Sequence, residues 1–115
     1  MKKIEAIIRP EKLDAVKDAL SAKGMLGMTV THVSGRGRQK GIALQWRAGE
    51  YRVDFLPKVK IEIVLADEEC QPAIDIIARA ARTGREGDGM IFVLPVENAY
   101  RVRTSDAGEA CLKAK

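Results

Sequence analysis

Two glycine-rich stretches hold the residues most able to do chemistry. Gly35-Arg36-Gly37-Arg38-Gln39-Lys40-Gly41 and Thr83-Gly84-Arg85-Glu86-Gly87-Asp88-Gly89 both interleave glycine with cationic side chains. Residues without a Cβ let backbone N–H groups approach an anion closely, and Arg or Lys beside them adds charge. Together these make a phosphate cradle. Neither stretch matches the Walker or dinucleotide fingerprint, and each taken singly also reads as a flexible turn. Arg101-Val102-Arg103 reads as part of a short strand, which would set two guanidinium groups on one side for bidentate work on phosphate oxygens. A solvated surface pair is the alternative there.

Catalytic constellations are absent. The chain has 115 residues, one histidine (His32) and two cysteines (Cys70 and Cys111), too few ligands for zinc and too few thiols for a disulfide framework. His32 sits within a strand pattern, Cys70 on an inward helix face, and Cys111 near a C-terminus expected to be mobile. There is no Gly-x-Ser-x-Gly and no closely placed carboxylate pair in a plausible cleft. The net charge of +4 is concentrated between Arg36 and Lys60, a window suited to phosphate ligands, nucleic acid or an anionic surface. RNA-recognition sheets need aromatic side chains for base stacking. Here Trp46, Tyr51 and Phe55 all fall in one polar stretch, so that platform is missing. No run approaches the ~20 apolar residues of a membrane helix. The opening Met1-Lys2-Lys3-Ile4-Glu5 reaches an acid too soon for a signal peptide, and the cytoplasm is the expected compartment.

The elements that must position the glycine stretches read in a simple order. Met1 to Ile8 alternates as a strand. Pro10 and Glu11 open a helix whose face is Leu13, Val16 and Leu20, and Gly24 ends it. A second strand lies within Leu26 to Val33. A polar stretch follows from Gly35 to about Pro57, and a structureless loop of that length is commonly functional. Lys58 to Leu65 alternates clearly, with Val59, Ile61, Ile63 and Leu65 on one side. Asp67 caps a second helix, with Cys70, Ala73, Ile74, Ile77 and Ala81 inward, stopping at Thr83-Gly84. Met90 to Val96 is a further strand and Ala99 to Arg103 a short last one. A shift of 57 residues superimposes Lys3-Ile4-Glu5 on Lys60-Ile61-Glu62, Glu11 on Glu68 and Asp18 on Asp75. A doubled βαβ unit predicts an α+β ferredoxin-like sandwich with one sheet face open, and an open face with few charges favours oligomerisation.

Several of these motifs, in order, resemble the P-II nitrogen regulatory proteins. They are Gly37-Arg38-Gln39-Lys40-Gly41, Glu50-Tyr51, Asp54-Phe55-Leu56-Pro57-Lys58-Val59-Lys60-Ile61-Glu62, Ala80-Ala81-Arg82-Thr83-Gly84, Gly87-Asp88-Gly89 and Arg101-Val102-Arg103-Thr104. The resemblance runs from Met1 to about Glu109. It implies a single domain over 1–115, with an effector loop at about 37–57, a C-terminal tail at about 104–115, and a ferredoxin-like homotrimer. It also implies a non-enzymatic regulator that binds ATP or ADP between subunits and senses 2-oxoglutarate with Mg²⁺. The loop would dock on a target such as an ammonium transporter or a nitrogen-metabolism enzyme, which brings it to a membrane only indirectly. A small phosphate-handling enzyme on the same fold is the alternative, and a nucleic-acid binder is not expected.

The resemblance also assigns roles. Gly35, Arg36, Gly37, Arg38, Gln39, Gly87, Asp88, Gly89, Met90, Arg101 and Arg103 stand at nucleotide positions, with Thr29 and Val64 beside the adenine. Gln39 would join ATP and 2-oxoglutarate in holding Mg²⁺, Lys58 would pair a 2-oxoglutarate carboxylate near Gly87, and Lys40 would bridge to Glu62. Tyr51 matches a position that some members nucleotidylate, and Arg47 a loop residue that enters a transporter pore. Four departures stand out. Met90 replaces a usual phosphate-contacting Lys. Arg36 and Glu11 stand where Phe is common. Arg47-Ala48-Gly49-Glu50 reorders the usual Arg-Gly-Ala-Glu.

Overall fold

In the computed structural model, residues 1–37 and 54–112 are described in full, and 42–46 and 49–53 through their backbone. β1 (Lys2–Ile8) alternates so that Ile4, Ala6 and Ile8 are buried on one side. Pro10–Lys12 forms a 3₁₀ turn before α1 (Leu13–Ser21), so the expected first helix begins one turn late. Proline lacks the N–H that continuing helix would use, but it fits an opening turn. Val16 and Leu20 are fully buried, with Leu13 packed beside them. Gly24 ends the run at φ +79°, in the left-handed region that glycine enters without strain.

β2 is Thr29–Gly35, overlapping the expected strand and running two residues past Val33. The stretch expected to be structureless is not. It contains β3 (Ile42–Trp46) and β4 (Gly49–Val53), paired as an antiparallel ladder from Ile42↔Val53 to Trp46↔Gly49. Ile42, Leu44 and Trp46 alternate with smaller or polar residues, the period of a strand. The charges and glycines around this short pattern obscured it.

β5 (Leu56–Leu65) is the longest strand and turns Val59, Ile61, Ile63 and Leu65 inward. α2 (Asp67–Ala81) buries Cys70, Ala73, Ile77 and Ala81. Its N-cap is Ala66, not Asp67. Asp67 is the first helical residue, and its carboxylate lies 3.0 Å from the Met1 amine, which holds the carboxyl below its usual range. β6 (Met90–Pro95) completes a four-stranded antiparallel sheet in the order β2-β5-β1-β6. Both helices contribute to the single core on one face of that sheet. This is the expected α+β arrangement of two βαβ halves.

The other sheet face is open, and it is more charged than expected. Register places Lys3, Glu5, Lys58, Lys60 and Glu62 on it. Four of these cancel locally, since Lys3 Nζ lies 2.6 Å from Glu62 and 3.2 Å from Glu5, and Lys60 Nζ lies 3.7 Å from Glu62. Beside this charged strip runs an apolar edge on β6, where Met90 and Phe92 are 62% and 44% exposed. No helix among the described residues is long and apolar enough to cross a membrane.

The expected last strand at Ala99 to Arg103 is absent. Only Tyr100 pairs, with Ala107, and the chain then turns through Ser105 at φ +62°. Gly108–Leu112 follows as a 3₁₀ turn that buries Cys111, the residue expected to sit in a mobile end. Because 101–103 form a turn and not a strand, Arg101 and Arg103 do not share one strand face.

Candidate functional site

At the end of β1 the chain meets the second glycine stretch. Asp88 receives four hydrogen bonds there. The Thr83 hydroxyl and Arg9 Nε donate to Oδ1, the latter at 3.0 Å, and the Thr83 and Gly84 N–H groups donate to Oδ2 at 2.8 and 2.9 Å. These donors stabilise the charged form, the Thr83 hydroxyl most, and hold the Asp88 carboxyl far below the usual carboxylate range. Arg9 Nη2 also donates to the Glu86 carbonyl at 2.6 Å. From β5, Lys58 Nζ donates to the Gly87 carbonyl at 2.7 Å. Burial first, then the nearby Arg9 charge, push the Lys58 ammonium below its ordinary pKa.

Gly89 closes the loop against β1. A Cβ there would lie 1.7 Å from the Ile7 carbonyl oxygen, and the residue has φ +107°. Only glycine fits both conditions. The result is a cleft of about 530 Å³ lined by Gly37, Lys58, Arg85, Gly87, Gly89 and Met90, among others. The loop backbone, two cations and an exposed thioether surround it together with Glu86 and Asp88. Because Arg9 already answers the Asp88 charge, the surface can still take a phosphate or carboxylate.

A second cleft, of about 490 Å³, lies at the opposite end of the same sheet face. Thr29, Val64 and Arg101 line it together with Met25, Met28 and the Lys3–Glu62 pair. Met25 is buried and Met28 half-buried, giving an apolar floor with a charged rim. The Lys3 ammonium, hydrogen-bonded to Glu62, holds that carboxyl below its usual range. The C-terminal 3₁₀ turn supplies Cys111 and Leu112 to the wall, and the Arg101 guanidinium donates to the Cys111 carbonyl.

The expected site residues therefore divide. Gly37, Lys58, Gly87, Asp88, Gly89 and Met90 gather at one end, beside Gly35 and the exposed Arg36. Thr29, Val64 and Arg101 gather at the other. From Lys58 to Val64 is six residues of extended chain, roughly 20 Å. Arg103 is exposed in the turn. Arg38, Gln39, Lys40 and Arg47 lie outside the described residues, as does the side chain of Tyr51.

Sequence reasoning missed Arg9, Thr83 and Cys111. Arg9 directly precedes Pro10 at the end of an apolar strand, a place where a long cation must either leave for solvent or find a partner. Thr83 follows α2, where a hydroxyl commonly closes a turn. Nothing local marks Cys111, because its partner Arg101 is brought to it by the turn between them.

Comparison with known proteins identifies the family. Residues 1–106 match the family described as nitrogen regulatory protein P-II. A nitrogen regulatory protein P-II of Bradyrhizobium diazoefficiens is 61% identical over 108 residues, covering 94% of this chain and 96% of the relative. Those of Cereibacter sphaeroides and Azospirillum brasilense are each 58% identical, covering 95% and 94% of this chain and 97% and 96% of theirs. Both glycine stretches and both βαβ halves fall inside the matched range. The chain belongs to the nitrogen regulatory P-II family, whose members are signalling regulators and not enzymes.

Proposed function

We propose that this chain is a homotrimeric sensor that binds ATP or ADP between subunits and reports nucleotide and 2-oxoglutarate levels to target proteins. The observation that carries the reading is the division of its nucleotide positions between two clefts at opposite ends of one sheet face. Neither cleft alone offers both an apolar seat for a base and an amide-rich cradle for phosphates. In a closed ring of copies, the Thr29–Val64 end of one subunit meets the Gly87–Gly89 end of its neighbour. The apolar edge formed by Met90 and Phe92 supports such a contact, since it is the part of the open face without charge.

The two clefts fit different parts of a nucleotide. The floor of Met25, Met28 and Val64 suits an adenine ring, and Arg101 beside it suits a neighbouring phosphate. The backbone of Gly87 to Gly89 suits the distal phosphates, and Arg38 would join it there. Among the described residues no group of three or more His, Cys, Asp or Glu could hold a metal. A Mg²⁺ ion would therefore arrive with ATP and take its oxygens from phosphates, 2-oxoglutarate and Gln39, as this hard cation commonly does with substrate phosphates. A 2-oxoglutarate carboxylate binding at Lys58 would compete with the Gly87 carbonyl that Lys58 now holds.

The segment at 37–57 is the output element. Bound metabolites would favour one of its conformations, and a partner such as an ammonium transporter or a nitrogen-metabolism enzyme would bind only one. Arg47 and Tyr51 would meet that partner, with Tyr51 a candidate for nucleotidylation. The site of action is the cytoplasm.

Light scattering should return about 38 kDa, three times the 12.6 kDa chain. Calorimetry with ADP, ATP, and ATP with Mg²⁺ plus 2-oxoglutarate should show saturable binding, with 2-oxoglutarate binding only when Mg-ATP is present. A monomer, or no nucleotide binding, contradicts the proposal.

A further inference from the structure

We propose that Asp88 is a positioning residue of the Gly87–Gly89 cradle and not itself a ligand of the bound anion, with Thr83 as its working partner. The inference rests on the reading of that cradle as the phosphate site. A carboxylate offers about four lone-pair positions. Those of Asp88 meet the Thr83 hydroxyl, the Thr83 N–H, the Gly84 N–H and Arg9 Nε, two on each oxygen. The carboxylate has no remaining capacity for a ligand hydroxyl or a metal ion. Its charge is answered by the Arg9 guanidinium, so an anion arriving next to it meets a compensated pair.

The same network fixes the direction of the loop amides. A trans peptide is planar, so a C=O held on one side sets the following N–H on the other. Arg9 Nη2 holds the Glu86 carbonyl and Lys58 Nζ holds the Gly87 carbonyl. The N–H groups of Gly87 and Asp88 are thereby turned away from these cations, as a preset pair. Asp88 anchors the start of the loop through Thr83 and Gly84, and Gly89 anchors its end against Ile7. Thr83 contributes twice, because its hydroxyl oxygen also accepts the Arg85 N–H at 3.2 Å. Preset amides bind an anion more tightly because little ordering remains to be done on binding.

The test compares variants that reach the anion only through the network. ADP and adenosine are titrated by calorimetry into the full-length parent, Asp88→Asn, Thr83→Val, Thr83→Ser and the Asp88→Asn/Thr83→Val double variant. Thr83→Val should weaken ADP by about tenfold, the scale of a lost charge-assisted hydrogen bond. Thr83→Ser should restore the affinity, and the double variant should be no weaker than Asp88→Asn alone, because the two act as a unit. Adenosine binding should be unchanged throughout, which general damage to the fold would not allow. If Asp88→Asn weakens ADP while Thr83→Val does not, Asp88 touches the ligand and the proposal fails. Unchanged ADP affinity in every variant also overturns it while leaving the phosphate site intact. A parent that binds no ADP removes the functional reading itself. Should Asp88→Asn fail to fold, the Thr83→Val and Thr83→Ser pair decides.

Discussion

At the Lys58 end of β5 one wall of the cleft is a loop whose backbone is tied down by side chains. Asp88, Arg9, Lys58 and Gly89 fix a seven-residue loop at both ends and in the middle. At the Val64 end the cleft is walled by side chains, and one wall is the last described turn of the chain. Its ties are the Arg101–Cys111 contact, the buried Cys111 side chain, and the Gly108 N–H bonds to Asn98 and Ala99. The contrast fits two tasks. Phosphate oxygens need donors held in fixed directions, whereas a flat base needs an apolar slot that tolerates adjustment.

The largest expected effect separates the two walls. Gly89→Ala drives a Cβ into the Ile7 carbonyl at a positive φ, and every atom it meets is β1 backbone that cannot swing aside. It should cost at least about 3 kcal/mol in chemical denaturation. Gly84→Ala, also at positive φ but with open space around it, should cost only about 1 kcal/mol. Equal costs would mean that the approach to β1 is not what demands glycine at 89.

Met90 sharpens the comparison from the ligand side. It lines the Gly87 cleft and is 62% exposed, and a thioether donates no hydrogen bond. Met90→Lys should tighten ATP by about tenfold to a hundredfold, the worth of a charge-assisted contact of roughly 1.5–3 kcal/mol. ADP and AMP should gain less, because the added ammonium meets the distal phosphates. Equal gains for all three nucleotides, or none, would remove position 90 from the phosphate end.

Deleting residues 108–115 tests the other wall. The lost burial of Cys111 and part of Leu112, less the chain entropy regained, should lower stability by about 1–2 kcal/mol. The sheet and both helices should remain, as judged by far-ultraviolet circular dichroism. A collapse of the whole fold would show that this turn belongs to the core.

Acid titration gives the smallest difference. Asp88 at one end and Glu62 at the other both have folded-state pKa values depressed below the unfolded ones. The folded state then binds fewer protons than the unfolded chain across the interval between the two values. Both contributions are therefore complete above the ordinary carboxylate range, near pH 4, and are lost as pH falls below it. Asp88→Asn should flatten that acid limb, and an unchanged limb would mean that other carboxylates set it.

Much of this was legible in the sequence because it rests on local periodicity. The alternation of Val59, Ile61, Ile63 and Leu65, and the 3.6-residue spacing through Cys70, Ala73, Ile77 and Ala81, place strand and helix with no tertiary information. The short hairpin at 42–53 was obscured by flanking glycines and charges, although its own alternation is that of a strand. The Ala99–Arg103 segment failed for the opposite reason. Its alternating pattern suits a strand, yet only Tyr100 finds a partner, and the Ser105 turn redirects the rest. The glycine stretches are legible as candidate anion sites, but the side chains that pin the second stretch are not. Arg9 and Asp88 are 79 residues apart, and only the β1–β6 pairing brings them together.

Subunit mixing asks whether one nucleotide site is assembled from the unlike ends of two copies. Gly37→Asp puts a negative charge into the phosphate cleft, and Val64→Asp does the same to the base cleft. Each variant alone should fail to bind ATP. After the two are unfolded together and refolded at equal amounts, a site is intact only when each neighbour contributes its sound end. In a closed ring with random assembly that restores about a quarter of the parent capacity. Recovery near that level is the predicted result. No recovery, with mixed oligomers confirmed by mass, would place the whole site within one chain and contradict the account.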